Sequence, residues 1–436
     1  MTTASHTVHG TPAPSSQPPA TGASAGRGEG TSSGPQVRGM ASGPAPGRPG
    51  ATALPEVDLL GLADRLPEAE RARLERIREH LQSVVRPQMV EYWNQEEFAF
   101  DLLPGLAELG LGRLQLDGSS RLFTGLVHAE LARADVSLSA LVGIHNELIV
   151  GMIHELGSPE QKAQWLPRLE QFQAIGAFAL TEPEHGSDIA GGLETTAQRD
   201  GDEWVISGAK RWIGAGTIAD VALVWARDTA DGEIKGYLVE TDRPGYRATK
   251  IRNKTGLRIM QNADIELDAV RIPAANLLPG ATDFSRANEL LKDSRAWVGW
   301  QGAGIQLAAF EIARDYALSR HQFGRPLAQF QLIQDGLAEM VGNASASLAL
   351  MGEIARLQEE GRLQMPQAAM VKATTTRLAR STVAIARNAL GGNGICSEFE
   401  AAKVFNDAEV LYTYEGTYQI NQLIVGRAVT GMGAFV

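Results

Sequence analysis

The chain has one cysteine, Cys396, among 436 residues. A single thiol permits no intrachain disulfide and no cysteine-based metal site, so no metal is expected and a reducing compartment is the natural setting. No run of eighteen apolar residues occurs, so no segment reads as a bilayer span and no membrane partner is expected. Basic charge is also scarce. Once the first 55 residues are set aside, with their three Arg and one Glu, the remainder carries 37 basic and 50 acidic residues and a net charge of −13. Such a body repels nucleic acid and anionic membrane surfaces. Those first 55 residues have no aromatic residue and one Leu, against nine Pro and ten Gly. They cannot bury enough apolar surface to offset the entropy of ordering, and are expected to form a disordered tail. Their Ser and Ala content partly matches an organelle transit peptide, but Pro and Gly would break the amphipathic helix such a peptide needs. The last residues, Gly433-Ala434-Phe435-Val436, are not a peroxisomal address. The expected location is cytoplasmic.

What is present falls into three regions, expected at 56–174, 175–286 and 287–436. In the first, Leu74, Ile77, Leu81, Val84 and Met89 recur at helical spacing, with Asp64 as a candidate cap. A second helix runs through Leu141, Ile144, Leu148 and Met152, and Ser158-Pro159-Glu160-Gln161 reads as a capping box with Pro at the first helical position. In the second region the period changes. Trp204 to Ile206, Val221 to Trp225, Tyr237 to Val239 and Ile265 to Asp268 are strand-like, with Asp200-Gly201 and Asp231-Gly232 as hairpin turns of a small antiparallel domain. Helical stripes return after residue 288, through Ile305, Ala309, Ile312 and Tyr316, then Ile333, Leu337, Met340, Ala344, Leu348, Met351 and Ala355. The order is helix, sheet, helix, and there is no repeat of solenoid period.

Two familiar signatures are excluded. Gly302-Ala303-Gly304 lacks the third small residue and a preceding strand, so it is not a dinucleotide-binding turn. Gly30-Thr31-Ser32-Ser33-Gly34 matches a nucleophile elbow only in letters, because it lies in the tail with no strand or helix around it. His145 reads as a core histidine, and Cys396 has no electropositive motif near it. The informative block is Tyr414-Glu415-Gly416-Thr417, which follows the Gly-rich run Leu390-Gly391-Gly392-Asn393-Gly394. It places one carboxylate in an aromatic- and Gly-flanked turn, where desolvation turns a carboxylate into a usable base. Two further blocks lie upstream, Leu180-Thr181-Glu182-Pro183-Glu184-His185-Gly186-Ser187-Asp188 and Lys210-Arg211-Trp212-Ile213-Gly214. The first is dense in hydroxyls and backbone N–H groups able to hold anionic or carbonyl oxygens. A fourth, Arg320-His321-Gln322-Phe323-Gly324 with Gln331, joins a cation, an aromatic ring and an amide, which suits a dinucleotide-like cofactor.

In this order and spacing, the blocks from about Val57 onward resemble the acyl-CoA dehydrogenase family of flavoenzymes. The resemblance implies an α+β multidomain fold: an N-terminal helical domain, a middle antiparallel β domain and a C-terminal four-helix bundle, with FAD in the cleft. It implies that Thr181 bonds the flavin ring, Ser187 contacts its pyrophosphate, and Phe178, Leu180, Gly186, Trp212 and Gly214 line the flavin. Thr417 and Gln419 match positions at its adenosine. Arg320, Phe323, Gln331, Asn388, Gly391 and Gly392 match positions that reach the FAD of a neighbouring subunit, which implies a homo-oligomer, a tetramer by family habit and a dimer otherwise. Glu415 matches the base that takes the α-proton of a fatty acyl-CoA while a hydride passes to flavin N5, leaving a trans-2-enoyl-CoA. Arg295, Tyr414, Gly416 and Ser187 match positions around the thioester. A subset of relatives carries the base instead where this chain has Ser294, which cannot do that work.

Several positions depart from the family pattern. Gly214 replaces a hydroxyl residue usual two positions after the Trp, which leaves an oxidase returning electrons to oxygen as the alternative to a dehydrogenase served by an electron-transfer flavoprotein. Asn388 stands where Gln is frequent, and Lys292 where some relatives have a pantetheine-binding Asp. The run Tyr414 to Gly431 looks most like glutaryl-CoA dehydrogenases, and residues 208 to 270 and 330 to 343 look more like short-chain acyl-CoA oxidases. Glutaryl-CoA enzymes carry an Arg shortly after the motif seen here as Arg133-Ala134-Asp135, whereas this chain has Val136-Ser137-Leu138-Ser139. The expected substrate is therefore an unsubstituted short-chain acyl-CoA, with a glutaryl-CoA dehydrogenase-like enzyme, a carrier-protein thioester dehydrogenase and an inactive flavin-free scaffold as the other readings.

Overall fold

The computed structural model describes residues 58–434, so the reading of residues 1–55 as a disordered tail lies outside it. The first region is helical: α1 (Glu68–His80), α2 (Arg86–Gln95), α3 (Leu103–Glu108), α4 (Arg121–Ala134), α5 (Val136–Gly143), α6 (Gly151–Leu156) and α7 (Pro159–Leu169). The capping box at α7 forms as expected, with Gln161 N donating to Ser158 Oγ at 3.2 Å and Ser158 N to Gln161 Oε1 at 2.9 Å. Asp64 does not cap α1; the helix starts after Pro67, whose fixed φ suits a helix entrance. The expected apolar stripe also slips by one residue. Leu81–Val85 forms a wide π turn between α1 and α2, so Val85 is buried and Val84 faces outward. A second π turn, Ile144–Val150, joins α5 and α6 into one helical run, Val136–Leu156. That run is long and apolar enough to cross a membrane, but most of it is buried inside the protein, as a core helix is.

The middle region holds β1 (Gly176–Ala179), the one-turn α8 (Ile189–Gly192), then β2 (Thr196–Asp200), β3 (Glu203–Ile213), β4 (Val221–Asp228), β5 (Ile234–Glu240), β6 (Tyr246–Lys250) and β7 (Ala263–Pro273). The strand path is β1-β4-β2-β3-β7-β6, with β5 beside β4. Pairing is antiparallel for β2–β3, β3–β7, β6–β7 and β4–β5, but β1 and β2 both run parallel to β4. The mixed character comes from long connections, because between β1 and β4 the chain builds a loop, α8 and the β2–β3 hairpin. The β2–β3 hairpin turns through Gly201-Asp202, with Gly201 at φ +58°.

The last region is helical again: α9 (Phe284–Ser319), a small hairpin β8 (His321–Gln322) and β9 (Arg325–Pro326), α10 (Gln331–Glu359), α11 (Met365–Ala389), α12 (Ala401–Leu411) and α13 (Tyr418–Thr430). Gly302 and Gly304 lie inside α9, as expected of residues that do not form a nucleotide turn. A Cβ on Gly304 would sit 2.1 Å from the Ala129 carbonyl oxygen, so α9 and α4 pack backbone to backbone there. The main core is shared by the N-terminal helices and the C-terminal bundle, while a separate cluster fills the β domain. Charges cross the helical core in pairs. Arg86 bridges Glu311 of α9 at 2.9 Å and Glu400 at 2.8 Å, and Arg133 of α4 also binds Glu311. Lys403 of α12 bridges Asp135 at 2.6 Å and Asp407 at 3.0 Å. Burial opposes the Lys403 charge, and the two carboxylates more than offset it.

Candidate active site

Glu415 lies in the turn between α12 and α13. Its φ is +53° and that of Gly416 is +80°, two consecutive residues in the left-handed region. Thr417 closes the turn by capping α13, accepting from Ile420 N at 3.2 Å. The carboxylate is half-buried, and its Oε2 accepts from Ser294 Oγ at 2.7 Å. Ser294 is fully buried on α9, and Leu291 O, 2.8 Å from its Oγ, shares the single hydroxyl proton with the carboxylate. The position expected to be unable to supply a base therefore holds the Glu415 carboxylate.

Spacing along α9 explains the rest of this wall. Ser294, Trp297 and Gln301 sit three and four residues apart and share a helix face. Trp297 packs against Tyr414, with ring centroids 6.1 Å apart, and Gln301 accepts from the Tyr414 hydroxyl. Burial, and then the Glu415 charge, keep the Tyr414 hydroxyl protonated. Gln301 in turn donates to Ser139 Oγ at 3.0 Å. Arg295 makes no direct hydrogen bond to Glu415. Its Nε donates to Asn421 Oδ1 at 3.2 Å, and Asn421 Nδ2 donates to Gly416 O at 2.8 Å, so Arg295 orders the turn through Asn421.

Sequence reasoning missed Lys372 of α11. Its side chain is fully buried, and Nζ donates to Gly416 O at 2.7 Å and to Tyr412 O at 3.4 Å. Burial pulls its pKa down to about 7; Glu415 opposes that shift and Arg295 reinforces it. A signal existed, since Lys372 falls four residues after Ala368 and three before Thr375, on the otherwise uncharged buried face of α11.

The loop after β1 carries Thr181 to Asp188. It is braced by a second unforeseen group, the buried pair Lys210–Glu182 at 2.8 Å. Lys210 also donates to Leu180 O at 3.0 Å, and Glu182 accepts from Glu194 N at 2.6 Å and Thr195 N at 2.9 Å. Burial lowers Lys210 to about 8 against the pull of Glu182. Arg211 N donates to Thr181 O at 2.8 Å, which sets Trp212 beside this loop. Trp212 has φ +62° and is 53% exposed, an unusual state for a large aromatic residue. Phe178 and Leu180 pack into the domain beneath, while Gly186 and Ser187 are exposed. Gly214 is buried, and a Cβ there would lie 2.7 Å from Ile144 Cδ1, so a hydroxyl side chain has no room unless Ile144 moves.

The remaining expected positions lie elsewhere. Arg320 ends α9, and Phe323 is 92% exposed at φ +52°. Gln331 opens α10, and Asn388, Gly391 and Gly392 are exposed at the end of α11. Asn393 Nδ2 donates to Tyr316 OH at 3.0 Å, which draws the Gly-rich run to the C-terminal end of α9. Arg320 is separated from Ser294 by ~39 Å of helix, so the structure does not bring this group to Glu415 within one subunit. Gln419 is exposed on the first turn of α13. His145 is a core histidine, with Nε2 bonded to Leu169 O at 2.8 Å and burial lowering it to about 4.

Residues 67–172, 177–270 and 284–430 match the N-terminal, middle and C-terminal domains described for acyl-CoA dehydrogenase. The chain belongs to the acyl-CoA dehydrogenase family. It is 32% identical over 371 residues to the mitochondrial short-chain specific acyl-CoA dehydrogenase of Bos taurus, covering 83% of this chain and 90% of that protein. The crystal structure of glutaryl-CoA dehydrogenase from Mycobacterium smegmatis matches with a TM-score of 0.83 and 37% identity, over 88% of this chain and all of that one. A second structure of glutaryl-CoA dehydrogenase from that organism, in complex with FADH2, matches with a TM-score of 0.84 and 33% identity, over 87% and 99% of the chains. As an acyl-CoA dehydrogenase, the protein is an oxidoreductase that uses FAD. Its residues fit that cofactor: an exposed Trp212 in a strained conformation offers a face to a planar ring, and the open Gly186-Ser187 loop offers unencumbered donors.

Proposed function

We propose that the enzyme removes the α-proton and a β-hydride from a short-chain acyl-CoA, with Glu415 as the base. The observation that carries this reading is the fixed carboxylate: Ser294 holds Oε2 at 2.7 Å inside a turn clamped by Lys372, Asn421 and the Thr417 cap. A carboxylate held in place by Ser294 takes a proton without first searching for the reacting geometry. The Glu415 backbone N–H is the fixed donor for charge that develops on the thioester oxygen. FAD, held by Thr181, Ser187, Trp212 and the surrounding loop, supplies the hydride acceptor when bound.

The acyl group we favour is unsubstituted. Ser139, in the stretch where a distal carboxylate would need a cation, is buried and paired with Gln301 and with the His128 carbonyl. Gly214 supports a second reading, an oxidase, since no hydroxyl stands at that position and Ile144 fills the space one would take. We further propose a homo-oligomer, favouring a tetramer, in which Arg320, Phe323, Gln331, Asn388, Gly391 and Gly392 serve the FAD of another copy. Their distance from Glu415 along α9 supports this. An anaerobic flavin spectrum titrated with acyl-CoAs of graded length tests the proposal. Bleaching by butyryl- or hexanoyl-CoA that persists in air fits a dehydrogenase passing electrons to an electron-transfer flavoprotein. Rapid reoxidation with peroxide fits the oxidase, and no bleaching by any CoA ester would overturn both.

A further inference from the structure

The turn that carries Glu415 wraps around a single buried ammonium group. Lys372 Nζ is reached by Tyr412 O, three residues before the base, and by Gly416 O, one residue after it. Gly416 O takes a second donor from Asn421, so this carbonyl is held from two sides. That matters because Glu415 sits at positive φ, a conformation an L-residue keeps only when its surroundings hold it, whereas Gly416 beside it reaches that region freely. No carboxylate lies within ion-pair distance of Lys372 among the described residues. Its charge is therefore balanced by two carbonyl dipoles and, through space, by Glu415.

Resting on the proposed role of Glu415 as base, we infer that Lys372 is the positioning residue of that base: it holds the turn in its left-handed conformation and sets the charge environment of the carboxylate. The charged groups that act on it are Glu415 from the turn and Arg295 from α9. With a pKa near 7, both its forms are populated around neutrality. The ammonium favours an ionised carboxylate, and the neutral amine leaves that carboxylate a stronger base. The device thus trades the fraction of ready base against its strength as pH changes.

The test uses FAD-loaded wild-type enzyme, Lys372→Met and Lys372→Arg, and follows anaerobic flavin bleaching by butyryl-CoA between about pH 6 and pH 9.5. Lys372→Met is expected to retain FAD but to bleach at least ~10-fold more slowly at pH 7, a misplacement effect, with the acidic limb of its rate profile moved to higher pH. Lys372→Arg is expected to restore most of the rate and to return the acidic limb to its wild-type position. Wild-type rates and profile in Lys372→Met would overturn the inference. So would equal losses in both variants with an unmoved profile, because Lys372 would then only support the fold. If the wild type itself is not bleached by any acyl-CoA, the proposed function falls and the inference is decided by unfolding in urea. A double-mutant cycle of Lys372→Met with Glu415→Gln should then show favourable coupling near pH 6 that fades by pH 9. Absence of coupling at both pH values would refute the charge link.

Discussion

At the scale of single residues, Glu415 and Ser294 make separable predictions. Glu415→Gln keeps the shape of the turn and removes the base, so flavin bleaching by an acyl-CoA should fall at least ~100-fold while FAD stays bound. Ser294→Ala removes one hydrogen bond to a charged group, worth ~1.5–3 kcal/mol, and should slow bleaching by about tenfold or more. Near-normal rates in the first variant would refute the base assignment, and in the second would show that Ser294 is incidental. His145 makes a prediction about pH instead. In the fold it gains its proton only near pH 4, whereas the unfolded chain gains it near 6.5, so the unfolded state binds more protons between those values. Stability should be lost as pH falls through that window, and unfolding midpoints in urea at pH 7 and pH 5 would measure the loss.

At the scale of elements, the Thr181–Ser187 loop, proposed to hold the cofactor, depends on one buried pair. Lys210→Met would leave Glu182 buried without its partner, at a cost of ~3–5 kcal/mol. Since Glu182 also holds Glu194 N and Thr195 N, the Thr181–Ser187 loop should loosen and FAD content per chain should drop. Absorbance at the flavin band against protein concentration reads this directly. A Lys210→Met protein with full FAD would show that the pair braces the β domain but not the cofactor loop. The π turns act at the same scale. Each inserts one residue into a helical turn, so the buried face shifts from Val84 to Val85 in the first helices.

At the scale of the whole molecule, the C-terminal end of α9 and the start of α10 leave Arg320, Phe323 and Leu332 exposed while Glu415 sits far along the bundle. If these groups serve another copy, Phe323→Ala combined with Arg320→Ala should reduce both oligomer mass, measured by light scattering, and FAD retention after gel filtration. Unchanged mass and retention would refute the shared site. The helical core is expected to survive these changes, because its cross-links, Arg86–Glu311, Arg133–Glu311 and Lys403–Asp135, lie between helices of one chain.

Composition, period and motif order were enough to determine the sequence of helix, sheet and helix, the capping box at α7, the core role of His145 and the family, because each is written locally or as a fixed spacing of residue types. The turn that carries Glu415 was legible for the same reason. What only the tertiary structure decided are the contacts between distant segments. Ser294 meets Glu415 across 121 residues and Lys372 meets Gly416 across 44, and no local pattern encodes which helix faces will be pressed together. The parallel pairing of β1 and β2 with β4, the phase shift at the π turns and the crowding of Gly214 by Ile144 belong to the same class. Burial in a shared core then assigns charge states that residue types alone leave open, as the lysines at 210 and 372 show.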